Sequence, residues 1–140
     1  MGLATTQEVT AFMARAFPQS RTTVREVGNL GATVVLAVGE EQLRPGGTVS
    51  GPAMMALADT ALYVAILGEI GIVPLAVTTS LTINFLRKPV ASQDIVAVCK
   101  LVKLGKSLAV GEVSLYSEGT AEPVAHAVGT YSIPPQRSSG

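Results

Sequence analysis

One stretch of the sequence, Ala53 to Leu67 (AMMALADTALYVAIL), is apolar on every face of the helix that it predicts. Ser50 is placed to cap this helix and Pro52 suits its first turn, while Gly68 and Gly71 are placed to end it. A helix without a polar stripe must be enclosed by other elements of the fold. Its length of about 15 residues is short of the roughly 20 that span a bilayer, so we expect a core helix and no membrane partner.

Segments with strand character lie on both sides of this helix in the sequence. Two short ones precede it, at 21–27 and 31–39, with Asn29 and Gly31 supplying turn residues between them. A longer strand follows from Leu75 and is stopped by Pro89. Three further strands joined by short turns are predicted at 94–105, 107–119 and 123–134. We therefore predict an α+β fold in which one long antiparallel sheet curls around the central helix.

The two ends of the chain have simpler patterns. The N-terminal segment, residues 1–20, carries a predicted helix from about Thr6 to Phe17 that is stopped by Pro18. This segment lacks a basic region followed by a long apolar run, so we expect no signal peptide and a cytoplasmic protein. The last five residues, 136–140 (QRSSG), are expected to be a disordered tail. With no repeat or linker in the sequence, residues 1–140 are predicted to form a single domain.

Composition excludes several classes of function. The 10 basic and 10 acidic residues cancel, and this leaves no basic surplus for a nucleic-acid partner. With 48% hydrophobic and only 14% charged residues, we expect a second subunit to cover part of the apolar surface. The single cysteine, Cys99, excludes an internal disulfide. Cys99 and the single histidine, His126, together disfavour a metal site and the Ser-His-Asp and Cys-His mechanisms.

Asp59 interrupts the apolar helix and is one of only two aspartates in the chain. Burying a carboxylate without partners is costly, so its presence needs an explanation. One interpretation is structural, in which Asp59 faces a solvent gap or binds a backbone amide. The other is functional, in which the partly desolvated carboxylate acts as a base or a nucleophile. Thr60 and Tyr63 are the helix neighbours predicted to hold it in place.

The start of the helix is the second candidate feature. The preceding segment RPGGTVSG delivers backbone amides to a helix N-terminus, where the helix dipole favours developing negative charge. Asp59 lies roughly 10–12 Å further along the helix. A carbonyl group held at the helix start is therefore far from Asp59 of the same chain, and a carboxylate from a second subunit is better placed. This spacing favours a site shared at an interface.

The phrases SGPAMMALADTALYVA and VTTSLTINFLRKP resemble the hot-dog-fold acyl-CoA thioesterases of the PaaI-like (phenylacetic acid degradation) type. Those proteins carry H-G-G, six residues and an Asp in a central helix, then a long strand with a TIxFLRP-like ending. The similarity extends from Leu43 to Pro134. It implies the hot-dog fold, a homodimer or a homotetramer, and hydrolysis of acyl-CoA thioesters. Coenzyme A enters only as part of the substrate, and no other cofactor is implied.

The resemblance also implies catalytic roles for four residues. Asp59 matches the carboxylate that acts across the dimer interface as general base or nucleophile, and Gly51 matches the amide that polarises the thioester carbonyl. Thr78 lies where relatives carry a Ser or Thr near the attacking water. Ser50 stands in the place of the family histidine. It can cap the helix and bind substrate, but it cannot donate a proton as an imidazole does.

The remaining residues implied by the resemblance bind substrate. The β-turn at 103–107 resembles the hairpin along which coenzyme A lies in relatives, although a solvated hairpin tip is the alternative. Arg44 replaces an Asn of the family and adds a cation that suits an acyl carboxylate or a coenzyme A phosphate. Pro52 replaces the second Gly of H-G-G. The predicted substrate-binding set is therefore Arg44, Pro52, Lys103, Gly105, Lys106 and Ser107.

The departures from the family pattern leave other functions open. Because the family histidine and asparagine are missing, a non-catalytic hot-dog module that binds acyl-CoA is the main alternative. A dehydratase or hydratase of the same fold is a third possibility. That chemistry normally pairs a histidine with an acid, and Ser50 in the histidine position argues against it.

Overall fold

The computed structural model describes residues 2–39, 42–43, 48–90 and 92–135. Over these ranges the chain forms, in order, α1 (Thr6–Ala16), β1 (Thr22–Gly28), β2 (Gly31–Leu36), α2 (Gly51–Ile70), β3 (Val77–Phe85), β4 (Ile95–Leu104), β5 (Leu108–Ser117) and β6 (Ala125–Ser132). The strands form one sheet in the order β1-β2-β4-β5-β6-β3, and every neighbouring pair is antiparallel. The predicted antiparallel sheet around a central helix is confirmed.

The central helix α2 is longer than its sequence pattern predicts. It spans 20 residues because Gly68 lies inside it, and it ends at Gly71, whose φ is 93°. By length and composition alone it could cross a membrane, so the prediction that this helix is too short to span a bilayer was wrong. Packing explains its composition instead, because most of the helix from Met54 to Gly68 is buried beneath the sheet.

Glycines allow the sheet to approach α2 closely. Gly111 and Gly129 face each other across β5 and β6. A Cβ atom at Gly111 would lie 2.6 Å from a methyl carbon of Leu62, and one at Gly129 would lie 2.5 Å from its other methyl carbon. At Gly68, a Cβ atom would collide with Cγ1 of Val27 in β1. The close contact with β1 therefore accounts for a glycine at position 68, inside the helix.

Strand β3 forms one edge of the sheet. It pairs with β6 on one side, and no other described strand pairs with its outer side. Large apolar side chains are exposed on this strand and directly beside it, namely Leu75, Val77, Phe85 and Leu86. An exposed apolar edge of this kind is a template for pairing with another chain.

The N-terminal helix α1 covers one end of α2. Its first turn is fixed by a capping box between Thr5 and Glu8, and it ends at Ala16 with Phe17 as its C-cap. The Phe12 ring packs 6.4 Å from the ring of Tyr63 in α2. Residues 136–140, predicted as a disordered tail, lie outside the described residues.

Candidate functional site

The sheet leaves one stripe of α2 uncovered. Pro52, Met55 and Ala56 are exposed, and Asp59 and Thr60 are half-buried. Their spacing of three to four residues places them along one side of the helix. Asp59 is the charged residue of this stripe, so its carboxylate can be reached from outside the chain's own core.

Two hydroxyl groups hold the Asp59 carboxylate through the same oxygen. Thr78 Oγ1 in β3 donates a hydrogen bond of 2.5 Å to Oδ1 of Asp59. The Tyr131 phenol in β6 donates to the same Oδ1 at 2.7 Å and lies 3.1 Å from the Asp59 carbonyl oxygen. Within the described ranges no side chain or amide donates a hydrogen bond to Oδ2. The carboxylate therefore has one anchored oxygen and one available oxygen.

Tyr131 is buried between the sheet and α2. Burial raises the pKa of its phenol well above the usual range. The nearby Thr78 hydroxyl opposes this rise, whereas the hydrogen bond and the charge of Asp59 add to it. The Tyr131 ring packs 6.2 Å from the Tyr63 ring. At neutral pH the phenol is therefore protonated and remains a hydrogen-bond donor to Asp59.

The neighbours predicted to hold Asp59 along the helix bind elsewhere. The Thr60 hydroxyl donates to the Ala56 carbonyl at 2.9 Å, and the Tyr63 hydroxyl donates to the Pro74 carbonyl at 3.1 Å. Both hydroxyls have backbone acceptors within reach, so the helical spacing indicated the wrong partners. The sequence reasoning missed Tyr131. The sequence does carry a signal for this residue. Tyr131 lies on a predicted strand, and a buried tyrosine usually finds a hydrogen-bond partner.

At the start of α2, a single backbone amide is available. Ser50 is the N-cap, and its Oγ accepts a hydrogen bond of 3.1 Å from the amide of Ala53. Pro52 has no N–H to offer. The N–H of Gly51 has no partner among the described residues. Gly51 is therefore the donor that the positive end of the helix dipole presents to a ligand.

A cavity of about 500 Å³ opens at this helix start. Phe85, at the end of β3, forms one wall, because a Cβ atom at Gly51 would lie only 3.3 Å from its ring. The cations Arg87 and Lys88 also line the cavity, and Arg87 is paired with Glu122 at 3.3 Å. The helix start thus combines an apolar wall with positive charge.

Strand β3 connects the two candidate features. Thr78, near its start, contacts Asp59, and its last residue, Phe85, contacts Gly51. Within one chain, Gly51 and Asp59 are eight residues apart on α2, or about 12 Å by helix rise. The amide and the carboxylate of one chain therefore lie at opposite ends of β3.

The predicted coenzyme A turn lies at the sheet end where Tyr131 is found, because Ala109 at the start of β5 pairs with Tyr131. Lys103 and Lys106 are exposed there. No hydrogen bond joins this turn to Asp59 or Gly51 in the described part of the chain. Its backbone is ordered by two bonds of 2.8 Å, from the Gly105 amide to the Leu108 carbonyl and from the Ile133 amide to the Ser107 carbonyl. Arg44 lies outside the described residues.

Two further residues singled out in the sequence lie apart from this site. His126 pairs with Glu112 at 3.1 Å on the sheet, and Cys99 is buried. Among the residues that the structure describes, no three His, Cys, Asp or Glu side chains come together to hold a metal ion.

Comparisons with known proteins match both the sequence and the fold. A family model of the thioesterase superfamily matches residues 46–124. The structure of an inferred thioesterase from a Silicibacter species is 42% identical, covers 96% of this chain and 95% of its own, and superposes with a TM-score of 0.89. The phenylacetic acid degradation protein PaaI of Thermus thermophilus, solved as a point mutant, is 27% identical over 89% of this chain and 99% of its own, with a TM-score of 0.72.

More distant similarity supports the fold alone. Zebrafish thioesterase superfamily member 2 is 21% identical over 94% of this chain and 99% of its own, with a TM-score of 0.83. No match was found among curated proteins. Together these findings show that the chain belongs to the thioesterase superfamily as a PaaI-like protein with the hot-dog fold. The family and these neighbours support thioester hydrolysis as the reaction class.

Proposed function

We propose that the protein hydrolyses acyl-CoA thioesters and that the Asp59 carboxylate carries the reaction. The observation that supports this most directly is the single carboxylate on the uncovered stripe of α2, anchored through Oδ1 and with Oδ2 available. Apolar neighbours such as Met55 and Ala56 suit an acyl chain.

Asp59 can act in one of two ways. As a general base, Oδ2 takes a proton from water while the water oxygen bonds to the thioester carbonyl carbon. The C–S bond then breaks, and the proton passes to the sulfur, which leaves as the coenzyme A thiol beside the free acid. As a nucleophile, Oδ2 itself bonds to that carbon, coenzyme A leaves with a solvent proton, and water then hydrolyses the resulting anhydride. Both routes give the same products.

The Gly51 amide is assigned to the thioester carbonyl oxygen. Negative charge develops on this oxygen as the carbonyl carbon is attacked, and a fixed N–H at the helix start stabilises that charge. Ser50 supports this arrangement as the cap that orients the first turn, because its hydroxyl is bound to the Ala53 amide. Pro52, which lines the same cavity, leaves Gly51 as the donor at that point.

We propose further that each site is built from two chains. If two β3 edges pair antiparallel about a two-fold axis near Leu81, the Thr78 end of one strand lies beside the Phe85 end of the other. Asp59 of one chain then faces Gly51 of its partner. The exposed apolar side chains along β3 support this pairing, because a second chain would cover them.

The substrate's coenzyme A moiety is assigned to the 103–107 turn, at the sheet end near Tyr131. The exposed ammonium groups of Lys103 and Lys106 suit its phosphates, with Gly105 and Ser107 shaping the turn. Arg44 remains a proposed contact to an acyl carboxylate or a phosphate.

The direct test is coenzyme A release from a panel of acyl-CoA thioesters, for wild type and Asp59→Asn. The carboxamide keeps the size of the side chain but removes the base, and we expect kcat to fall by at least about a hundredfold. Asp94→Asn, at the other aspartate of the chain, is the matched control and should retain wild-type turnover. Equal turnover by wild type and Asp59→Asn would remove Asp59 from the mechanism.

One observation favours the second candidate, a non-catalytic acyl-CoA-binding module. Ser50 replaces the family histidine, and its hydroxyl is already occupied as a helix cap. Calorimetric binding of acyl-CoA by wild type, with no coenzyme A release across the panel, would select this alternative.

A further inference from the structure

We propose that Tyr131 is a positioning residue that determines which oxygen of Asp59 reacts. The inference rests on the proposed function, because it assumes that Asp59 is the reacting carboxylate. In this arrangement Tyr131 and Thr78 fix Oδ1, and Oδ2 is the oxygen that meets water or the thioester carbon.

The contact between Tyr131 and Asp59 follows from the burial of Tyr131 in the core. Tyr131 is only 3% exposed, and its ring is packed in the core beside Tyr63. Its phenol must find an acceptor, since an unpaired buried hydroxyl is costly. Tyr63 meets the same requirement with a backbone carbonyl, that of Pro74. Tyr131 instead donates to the one carboxylate of the α2 stripe, at 2.7 Å.

Fixing one oxygen sets the direction of the carboxylate. The two oxygens of a free aspartate exchange by rotation about the last side-chain bond, so neither has a fixed direction. Two donors on Oδ1, from different strands, hold that rotation in one orientation and leave Oδ2 on the open side.

The hydrogen bond from Tyr131 to Asp59 does not depend on pH near neutrality. Burial keeps the pKa of the Tyr131 phenol far above neutral, and the bond with Asp59 adds to this effect. The phenol therefore donates near neutral pH and does not compete for the proton that Asp59 would take. A group with these properties positions the carboxylate without exchanging protons itself.

The test compares kcat and KM of Tyr131→Phe and Tyr63→Phe in an acyl-CoA hydrolysis assay. Both substitutions delete one buried phenol oxygen from the same aromatic pair, but only Tyr131→Phe removes a bond to Asp59. For Tyr131→Phe we expect kcat to fall about tenfold to a hundredfold with KM within about twofold of wild type. Tyr63→Phe should retain the kcat and the KM of wild type.

Four results would separate the possible failures. If Tyr131→Phe and Tyr63→Phe have the same kcat and the same KM, the positioning role is wrong. If both lose activity in proportion to a loss of thermal stability, Tyr131 is structural only, and the role is likewise overturned. Asp59→Asn is measured alongside: if it is inactive while Tyr131→Phe behaves as wild type, the proposed function stands without the positioning role. If Asp59→Asn is fully active, the proposed function itself fails.

Discussion

The Tyr131 phenol lies 2.7 Å from Oδ1 of Asp59, although 72 residues separate the two in sequence. Tyr131 belongs to the last strand and Asp59 to the central helix, so the contact forms only when the sheet closes around α2. Thr78 completes the arrangement from the edge strand. The orientation of the carboxylate therefore depends on the whole fold and not on the helix alone.

The Thr78 hydroxyl gives the first prediction. Thr78→Val keeps the shape of the side chain but removes the donor to Asp59, so Oδ1 retains only the Tyr131 bond. We expect kcat to fall about tenfold, the effect of losing one hydrogen bond to a charged group. Thr78→Ser retains the donor and should stay within about threefold of wild type. If the two variants have the same steady-state rate of coenzyme A release, the hydroxyl has no role.

The Gly51 amide gives the second prediction. Gly51→Pro removes the N–H at a first helical position where proline is accepted, and we expect kcat to fall by roughly a hundredfold or more. Gly51→Ala adds a Cβ atom 3.3 Å from Phe85 but keeps the amide, and should retain most activity. Circular dichroism melts check that both variants fold. Equal losses of kcat in the two variants would show that the space at this position matters and that the amide does not.

The close approach of the sheet to α2 gives a prediction about stability. Gly129→Ala would place a methyl group 2.5 Å from Leu62, which is fully buried and cannot move far. We expect a loss of about 1–3 kcal/mol in the free energy of unfolding, measured with urea. Val128→Ala, next in sequence on the exposed face, is the control and should change stability much less. A Gly129→Ala variant as stable as wild type would contradict the packing described for Leu62.

Alkaline pH gives the fourth prediction. Burial raises the pKa of the Cys99 thiol from 9.0 to about 12, and the charge of Glu112 adds to this. Above about pH 9 the unfolded chain loses this proton while the folded chain keeps it, so stability falls as the pH rises. Between about pH 9 and 11 we expect wild type to lose roughly 2 kcal/mol more than Cys99→Ala, whose stability at neutral pH is lower because of the cavity. If the free energy of unfolding falls equally with pH in wild type and Cys99→Ala, this linkage is contradicted.

The sequence predicted those parts of the fold that depend on local pattern. The apolar run of α2, the turn at Asn29 and the three consecutive strands β4 to β6 follow from periodicity and turn residues, and the structure contains them. Gly68 was misread as a helix end because its need for glycine arises from contact with Val27, which is distant in sequence. The pairing of β3 with β6 is equally non-local.

The same distinction applies to the candidate site. Asp59 stood out because charge is rare in an apolar helix, and Gly51 because it opens that helix. Their partners could not be read from helical spacing. Tyr131 reaches Asp59 only through the register of β6 against β3, in which Thr78 pairs with Tyr131. A single sequence shows that a buried tyrosine needs a hydrogen-bond partner, but it does not show which residue the strand register places beside it.

A complementation experiment asks whether Asp59 and Gly51 act from different chains. Asp59→Asn and Gly51→Pro chains carrying different affinity tags are co-expressed, and the mixed dimer is isolated through both tags. A site shared between chains leaves one site of the mixed dimer intact and the other doubly defective. We expect about half of the wild-type activity per dimer, while each parent variant alone is nearly inactive. A mixed dimer as inactive as both parents would contradict the shared site.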